Sequence, residues 1–506
     1  MPHPALAALP HQLPDLDWIT EPSRVARLSQ DHHWFSPVLR RELAGRQADS
    51  VVRPRTEDEI RRVVAACARA GAPLTLRGSG SNCRGHSVPL HGGLLMDLSG
   101  YASLCWVHGG TVRAQAGMRL CDLDRALVPH GQELRCLPSS YRSATVGGLF
   151  AGGSWGAGAI TWGPPDAEGN VLGLRLMTVE PEPRVIELRA PEALALYHGC
   201  GTNGIVLELE LALAPAQPWV EQVVCFPTLE AALHCGGALA HSPGIAKKEI
   251  CLLGSALVPC LPHLAELVPA GHSALLLLVD EAGEPGLRQL VERHGGHCTL
   301  RQDAHAVRRG RPSLLESTWG HTTLHALKAD RALTHLQTVH DPSCYPQQVL
   351  ALQQALGDEL MPHLEFVRTA EGRISCRGLP LLRFRDEARL RQIEDLHRAH
   401  GVQVIEAHAC SIGDGFSPAA LATLRATQAR HDPLGLLNPG KLRTRADGGP
   451  GGRGGLGGLG GLGGLGGPGG TPAARAAAAP AAQTAPAAQP APAAPPHEGA
   501  ALHRAA

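Results

Sequence analysis

From residue 46 onward the apolar positions fall into short stretches whose spacing switches between the helical and the strand period. Thr56-Glu57-Asp58-Glu59 sets Thr at an N-cap position with Glu three residues on, a capping box. Ile60, Val63, Val64 and Cys67 then recur at i, i+3, i+4 and i+7, one face of an amphipathic helix, and Gly71 stops it where a C-terminal cap favours glycine. Residues 73–77 and 93–98 read as short strands on either side of a polar loop. The order returns at 112–117, a strand, followed by a helical stripe of Leu120, Leu123, Ala126 and Leu127 that Gly131 closes. Residues 206–213 alternate strictly and form a half-buried strand.

Pro215 and Pro218 mark a boundary, and a second pattern begins at Trp219. It reads as strand 219–226, helix 228–240, strands 246–253 and 273–279, helix 285–294 and strand 297–302. After a helical stretch at 311–328 the order recurs: strand 334–339, helix 342–360, strands 363–368 and 373–384, helix 385–400, strand 402–407. Each run is βαββαβ, the split-βαβ order of a ferredoxin-like unit, and two such halves are expected to share one antiparallel sheet. The fold class is α+β. Residues 1–45 read as a polar extension in which only 34–39 docks on the body. The Gly/Leu- and Ala/Pro-rich stretch 444–506 cannot bury enough surface to fold and is expected to be a disordered tail.

The chemistry lies in two loops of tiny residues, each entered from an apolar strand. Leu76-Arg77-Gly78-Ser79-Gly80-Ser81-Asn82 is one, and Ala144-Thr145-Val146-Gly147-Gly148 is the other. Such loops let backbone N–H groups face an anion at close range. The first is not a Rossmann fingerprint: its sixth position is Cys83, and Pro89, Gly92 and Gly93 stand where a helix should open. It is not a Walker A loop either, since no Gly-Lys-Ser/Thr follows. A pair of them about seventy residues apart implies a large phosphate-bearing cofactor held by main chain.

Composition narrows the partners. The 46 basic and 46 acidic residues balance, so neither nucleic acid nor an anionic membrane surface is indicated. Fourteen Cys are scattered without a CxxC pair, the start lacks a signal-peptide pattern, and no run reaches the length of a membrane span. A cytoplasmic protein with reduced thiols is expected.

Taken in order, Val52-Arg53-Pro54, the capped helix, Arg77-Gly78-Ser79-Gly80, Leu95-Met96-Asp97-Leu98, Thr145-Val146-Gly147-Gly148, Trp162-Gly163 and Gly201-Thr202-Asn203-Gly204-Ile205-Val206 resemble the FAD-binding domain of vanillyl-alcohol-oxidase and p-cresol-methylhydroxylase-type flavoproteins. The closing Asn438-Pro439-Gly440-Lys441-Leu442 resembles the end of that family's C-terminal domain. The resemblance implies a PCMH-type FAD-binding domain of two α/β subdomains at 46–218. A substrate or cap domain at 219–443 would follow, its end returning to the FAD domain. It further implies that Arg77, Gly78, Ser79, Gly80, Ser81 and Asn82 wrap the FAD diphosphate. Thr145, Val146, Gly147, Gly148, Gly152 and Gly156 would line the flavin, and Ile205 and Val206 would meet the nucleotide end. Some members attach the flavin to a His four residues after the loop Arg, where this chain has Ser81, or to a Cys ahead of the second loop, where it has Ser143. Non-covalent FAD is therefore expected.

The substrate side is less defined. His321 and His325 lie one helical turn apart, a metal-compatible spacing, but no third ligand accompanies them and no metal is expected. Residues 411–418 partly resemble the His-x-Gly-Asp-Gly-Asn-x-His motif of metal-assisted 2-hydroxyacid dehydrogenases, with both His replaced, by Ser411 and Pro418. Arg373, Arg377 and Arg383 fall on predicted cap strands, on one face if alternation holds, and could fork a carboxylate. Catalytic candidates are Arg377, His321 and His408, the last as general base because imidazole takes a proton near neutral pH. The expected activity is hydride transfer from an alcohol or 2-hydroxyacid to FAD, with electrons passing to an unspecified acceptor. The alternative is an FAD-binding subunit that acts as an electron relay or assembly partner in a larger redox complex.

Overall fold

The computed structural model describes residues 4–303 and 311–444, so the Gly/Leu- and Ala/Pro-rich tail lies outside the described residues. Three large sheets and one small one organise what precedes it. The first has the order β1-β2-β4-β3, with β1 Asp17–Ile19, β2 Ser50–Arg53, β3 Leu74–Arg77 and β4 Leu94–Asp97. β2, β4 and β3 run parallel and β1 pairs antiparallel at the edge. The capping box is realised: Thr56 Oγ1 accepts from the Glu59 N–H at 3.2 Å, helix Glu57–Ala70 follows, and Gly71 closes it at φ +61°. Ile60, Val63, Val64 and Cys67 on that helix are fully buried, each contributing about 1.5–3 kcal/mol for the larger apolar side chains.

The second sheet takes β5 Leu104–His108, β6 Thr111–Gln115, β10 Ile205–Pro215, β8 Val171–Met177 and β9 Val185–Arg189 in that spatial order, with β7 Gln132–Leu134 beside β10. All its pairings are antiparallel, unlike those of the first sheet, although the two units share a sequence pattern. Short connections such as the one at Gly109-Gly110 leave neighbouring strands no room for a crossover, and antiparallel pairing follows.

The cap sheet has eight strands. One half supplies β14 His297–Asp303, β11 Trp219–Phe226, β13 Ser273–Asp280 and β12 Lys247–Leu253. The other supplies β18 His363–Arg368, β19 Ile374–Gly378, β16 Gln337–Val339 and β21 Gln403–Ile405, joined to the first through β12 and β18. The two split-βαβ halves thus form one antiparallel sheet. Two predicted strands are broken. Residues 333–339 leave one sheet and enter another, β15 Leu333–His335 pairing with β20 Leu381–Arg383 in a small sheet completed by β17 Leu360–Met361. The break at 379–380 contains Pro380, which has no N–H to continue a ladder. It separates Arg383 from Arg377, so the three arginines do not share a face. Arg383 pairs with Asp330 at the surface, and Arg373 is exposed.

Two further expectations change. The N-terminal stretch is folded over most of its described length: β1, helices Pro22–Leu28 and Pro37–Glu42, and buried Leu16, Ile19, Val25 and Leu39 tie it to the first sheet and the loop beyond. Its apolar residues are spaced singly between prolines, which concealed this. The segment after Thr145 is a short helix, Val146–Ala151, because Thr145 Oγ1 caps the Gly148 N–H at 3.2 Å and offsets the low helix propensity of the glycines. Near the chain's end the Leu74 N–H donates to Leu436 O (2.8 Å) and the Asn438 N–H to Leu74 O (2.7 Å), so residues 436–438 lie against β3. Among the described residues no helix is long and apolar enough to cross a membrane, and all fourteen Cys are free thiols.

Candidate active site

The two glycine segments meet. A Cβ on Gly78 would lie 2.3 Å from Thr145 Oγ1, and one on Gly147 would lie 2.8 Å from the Ala116 Cβ, so both contacts require glycine. Between them opens a cleft with about 910 Å³ of empty space, part of it open to solvent. Gly78, Ser79, Gly80, Ser81, Asn82, Thr145, Gly147, Gly148 and Gly152 line it, together with Gly201, Gly204 and Val206. Its walls are mostly backbone and small side chains, the donor set that suits a diphosphate.

Arg77 is the one fully charged side chain on this wall, and its donors are already engaged. Nη1 donates to Gln30 O (2.7 Å) and Nη2 to Ser79 O (3.0 Å), so it holds its own loop in shape. The His32 N–H donates to Asn82 O (2.8 Å), and the Arg84 N–H to Asn82 Oδ1 (2.8 Å). Three residues expected in the cradle do not line it. Val146 points into the core from the short helix, and Ile205 is buried in the core while its neighbour Val206 faces the cleft. Gly156 packs on backbone instead, its Cβ position 2.2 Å from Leu137 O.

A second cavity, with about 1540 Å³ of empty space, adjoins the first and shares Ser81, Asn82, Ser140, Gly152 and Ser154 with it. Arg84, Trp155, Tyr197 and His198 reach it from the glycine-loop side, and His321, His335 and Arg377 from the cap. Arg377 lies over the Trp155 ring, 4.3 Å from its centroid, and its guanidinium makes no hydrogen bond or ion pair among the described residues. Enclosure lowers its pKa to about 10. Arg84 is buried, and its Nε has no partner. Two guanidinium groups thus line one cavity without a carboxylate in ion-pair reach.

Three histidines beside them, His321, His335 and His198, are held neutral. Burial pushes His321 down to about 4 and His335 and His198 down to about 3. His408, the base expected from the sequence, does not line the cavity. It sits behind His335, ring centroids 5.9 Å apart, with Nδ1 2.8 Å from Ser36 Oγ. His335, Arg84, Tyr197 and His198 were missed. His335 lies on a predicted cap strand and Arg84 follows the first glycine loop, and that placement was the available clue.

His321 is set by an unusual turn. Trp319 adopts φ +50° at the start of helix Trp319–Ala329. Its backbone N–H donates to Glu365 Oε1 (2.5 Å), and its indole N–H to Glu249 Oε2 (2.8 Å). His363 Nε2 lies 2.8 Å from Glu365 Oε1. Burial raises the Glu249 carboxyl well above its usual range and the Glu365 carboxyl to about 8. This polar cluster inside the cap sheet fixes the strained turn that delivers His321.

The fold and the glycine-lined cleft define a flavin-binding α+β protein. Residues 48–188 match the family model of the FAD binding domain, so this stretch is an FAD-binding domain of the kind found in FAD-linked oxidases. The chain is 27% identical over 176 residues to the glycolate oxidase subunit GlcD of Escherichia coli (strain K12), covering 33% of this chain and 35% of that protein. It is 25% identical over 192 residues to the mitochondrial D-lactate dehydrogenase [cytochrome] of Arabidopsis thaliana, covering 36% and 33% respectively. An uncharacterized FAD-linked oxidoreductase of Mycobacterium tuberculosis (strain ATCC 25618 / H37Rv) is 33% identical over 125 residues, 24% of this chain and 27% of that one. The aligned stretches span about a quarter to a third of the length of these relatives. Among solved structures, an alkyldihydroxyacetonephosphate synthase superposes with TM-score 0.64 at 16% identity, covering 86% of this chain and 85% of the other. That likeness extends the shared fold over the cap.

Proposed function

We propose that this protein is an FAD-dependent oxidoreductase that removes hydride from the carbinol carbon of a small anionic alcohol, a 2-hydroxy acid first among them. The observation that carries the reading is the pair of unpartnered guanidinium groups, Arg84 and Arg377, lining the cavity that adjoins the cofactor cleft. Enclosed cations with no carboxylate in hydrogen-bond reach are costly unless an anion arrives to meet them. The names of two relatives, glycolate oxidase subunit and D-lactate dehydrogenase, agree with a 2-hydroxy acid.

When bound, FAD supplies the hydride acceptor. The residues around it have separate tasks. Gly78, Gly147 and Gly148 admit the cofactor's diphosphate to main-chain N–H groups, and Arg77 keeps their loop in place. Neither Ser81 nor Ser143 offers an attachment nucleophile of the family's kind, so the cofactor is held non-covalently. Arg377, with Arg84, binds the substrate carboxylate and orients the carbinol C–H toward the cleft. His321 takes the hydroxyl proton. It is neutral above about pH 4 and is the more basic of the two cap imidazoles that line the cavity.

Anaerobic mixing of the FAD-loaded protein with glycolate, D- and L-lactate, 2-hydroxyglutarate and their methyl esters tests this. Free acids are expected to bleach the flavin band and the esters to fail. Bleaching by esters and acids alike would remove the guanidinium reading. Inertness to every acid would favour the electron relay.

A further inference from the structure

Three potential ligand groups converge on the wall between the two cavities, and no part of the proposed reaction uses them. His86, His198 and Cys200 each bring a donor atom within 4.8 Å of the others, and all three side chains are buried. His86 is 6% exposed, and neither of its ring nitrogens has a hydrogen-bond partner. Buried imidazoles in proteins ordinarily satisfy at least one nitrogen. The His198 ring is bounded by aromatic neighbours, His86 and Phe416 among them, and makes no hydrogen bond among the described residues.

The backbone holds this arrangement at a cost. His198 and Cys200 both adopt positive φ, 59° and 49°, which non-glycine residues seldom do. Asn438, itself at φ 46°, reaches across from the end of the chain, and its Nδ2 donates to Cys200 O (2.5 Å) and His86 O (3.5 Å). One amide therefore clamps together the two segments that carry the donors. Strain kept in place by a dedicated clamp marks a site that the surrounding structure defends.

We infer that His86, His198 and Cys200 form a binding site for one zinc-class metal ion. Two imidazoles and a thiolate suit zinc, and three protein ligands leave a fourth position for water or another small donor. Tetrahedral bonds of about 2.0–2.3 Å would draw the donors to roughly 3.5 Å apart, a modest side-chain adjustment from the present separations. The thiolate is the essential member. Arg84 and Lys441 lie close enough for their charges to act on His86, and without a negative ligand their repulsion would exclude a dication. The ion would tie the segments bearing Gly85 and Gly201 together at the edge of the cofactor cleft, and it is assigned no step in hydride transfer.

The test uses full-length FAD-loaded protein, stripped with a chelator, dialysed against limiting zinc and analysed for bound metal. About one zinc per chain is expected. Cys200→Ser and His86→Gln should each lose it, while His325→Gln, which removes the helical pair His321 and His325, should keep it. Cobalt offered to the stripped wild-type protein should give visible ligand-field bands beyond the flavin absorption, with the intensity of tetrahedral coordination. This arm needs no variant to fold. No retained zinc and no such bands would overturn the site. So would zinc retained in folded Cys200→Ser, or displacement of the ion when FAD is added.

Discussion

The two cavities sit side by side and are built by opposite means. The cofactor cleft is made largely of main chain: glycine, serine, threonine and alanine supply much of its wall, and its one fully charged residue, Arg77, is engaged with carbonyls. The adjoining cavity is made of side chains, with arginine, histidine and tyrosine arriving from segments as distant as residues 84 and 377. A main-chain cradle depends on backbone shape, so almost any side chain added to it is harmful. A side-chain cavity depends on charge, so single substitutions there should change chemistry and spare the cofactor.

The largest effect should come from breaking the cradle. Gly78→Val places atoms where Thr145 Oγ1 already stands. We expect the purified protein to lose FAD almost entirely, read as the ratio of flavin to protein absorbance. Retention of full FAD content would show that the two loops do not jointly hold the cofactor.

The next effect belongs to the side-chain cavity. His321→Gln should lower the rate of flavin reduction by about 10²–10⁴, the range for a general base, with FAD content unchanged. His408→Ala should change that rate only a few-fold, because His408 lies behind His335, outside the cavity. Reversal of this order, measured by stopped-flow reduction, would return the base role to His408.

This contrast also explains what could be read from the chain. A main-chain cradle writes itself locally: Thr56 and Gly71 bracket a helix, β3 delivers Gly78, and each step is encoded within a few residues. The cap was legible for the same reason, since each strand and helix of its two βαββαβ runs is encoded within a few neighbouring residues. What needed three dimensions was the meeting of Arg84, His335 and Arg377, separated by hundreds of residues and brought together only by sheet order. Arg383 was misassigned to their face because the proline break at 380 moves it to another sheet. His408 was favoured because the end of a strand carries no sign of which neighbour stands in front of it.

A smaller effect concerns pH. His321 and His335 titrate at about 4 and 3 in the folded chain, against about 6.5 when unfolded. Between these values the unfolded chain binds protons that the folded chain refuses, so stability is complete above about pH 6.5 and is lost as pH falls toward 4. His321 alone would account for up to roughly 3 kcal/mol of that loss by pH 4. Denaturant midpoints measured from pH 7 to pH 4 should fall steadily. In Gly78→Val the fall should persist, since the cradle contributes none of these groups. The smallest effect should be that of Thr145→Ala, which removes the cap on helix Val146–Ala151 and should cost about 1 kcal/mol in the same denaturant assay.

We propose that one cavity holds the cofactor by main chain while its neighbour reads an anion through Arg84 and Arg377. The most direct measurement is a titration of the FAD-loaded protein with oxalate, a redox-inert dicarboxylate, followed by the shift it causes in the flavin spectrum. We expect saturable binding in the wild type. In Arg377→Ala, with FAD content unchanged, affinity should fall at least about 100-fold, equivalent to roughly 3 kcal/mol of charge-assisted hydrogen bonding. Equal affinity in the two proteins would show that Arg377 does not hold the anion.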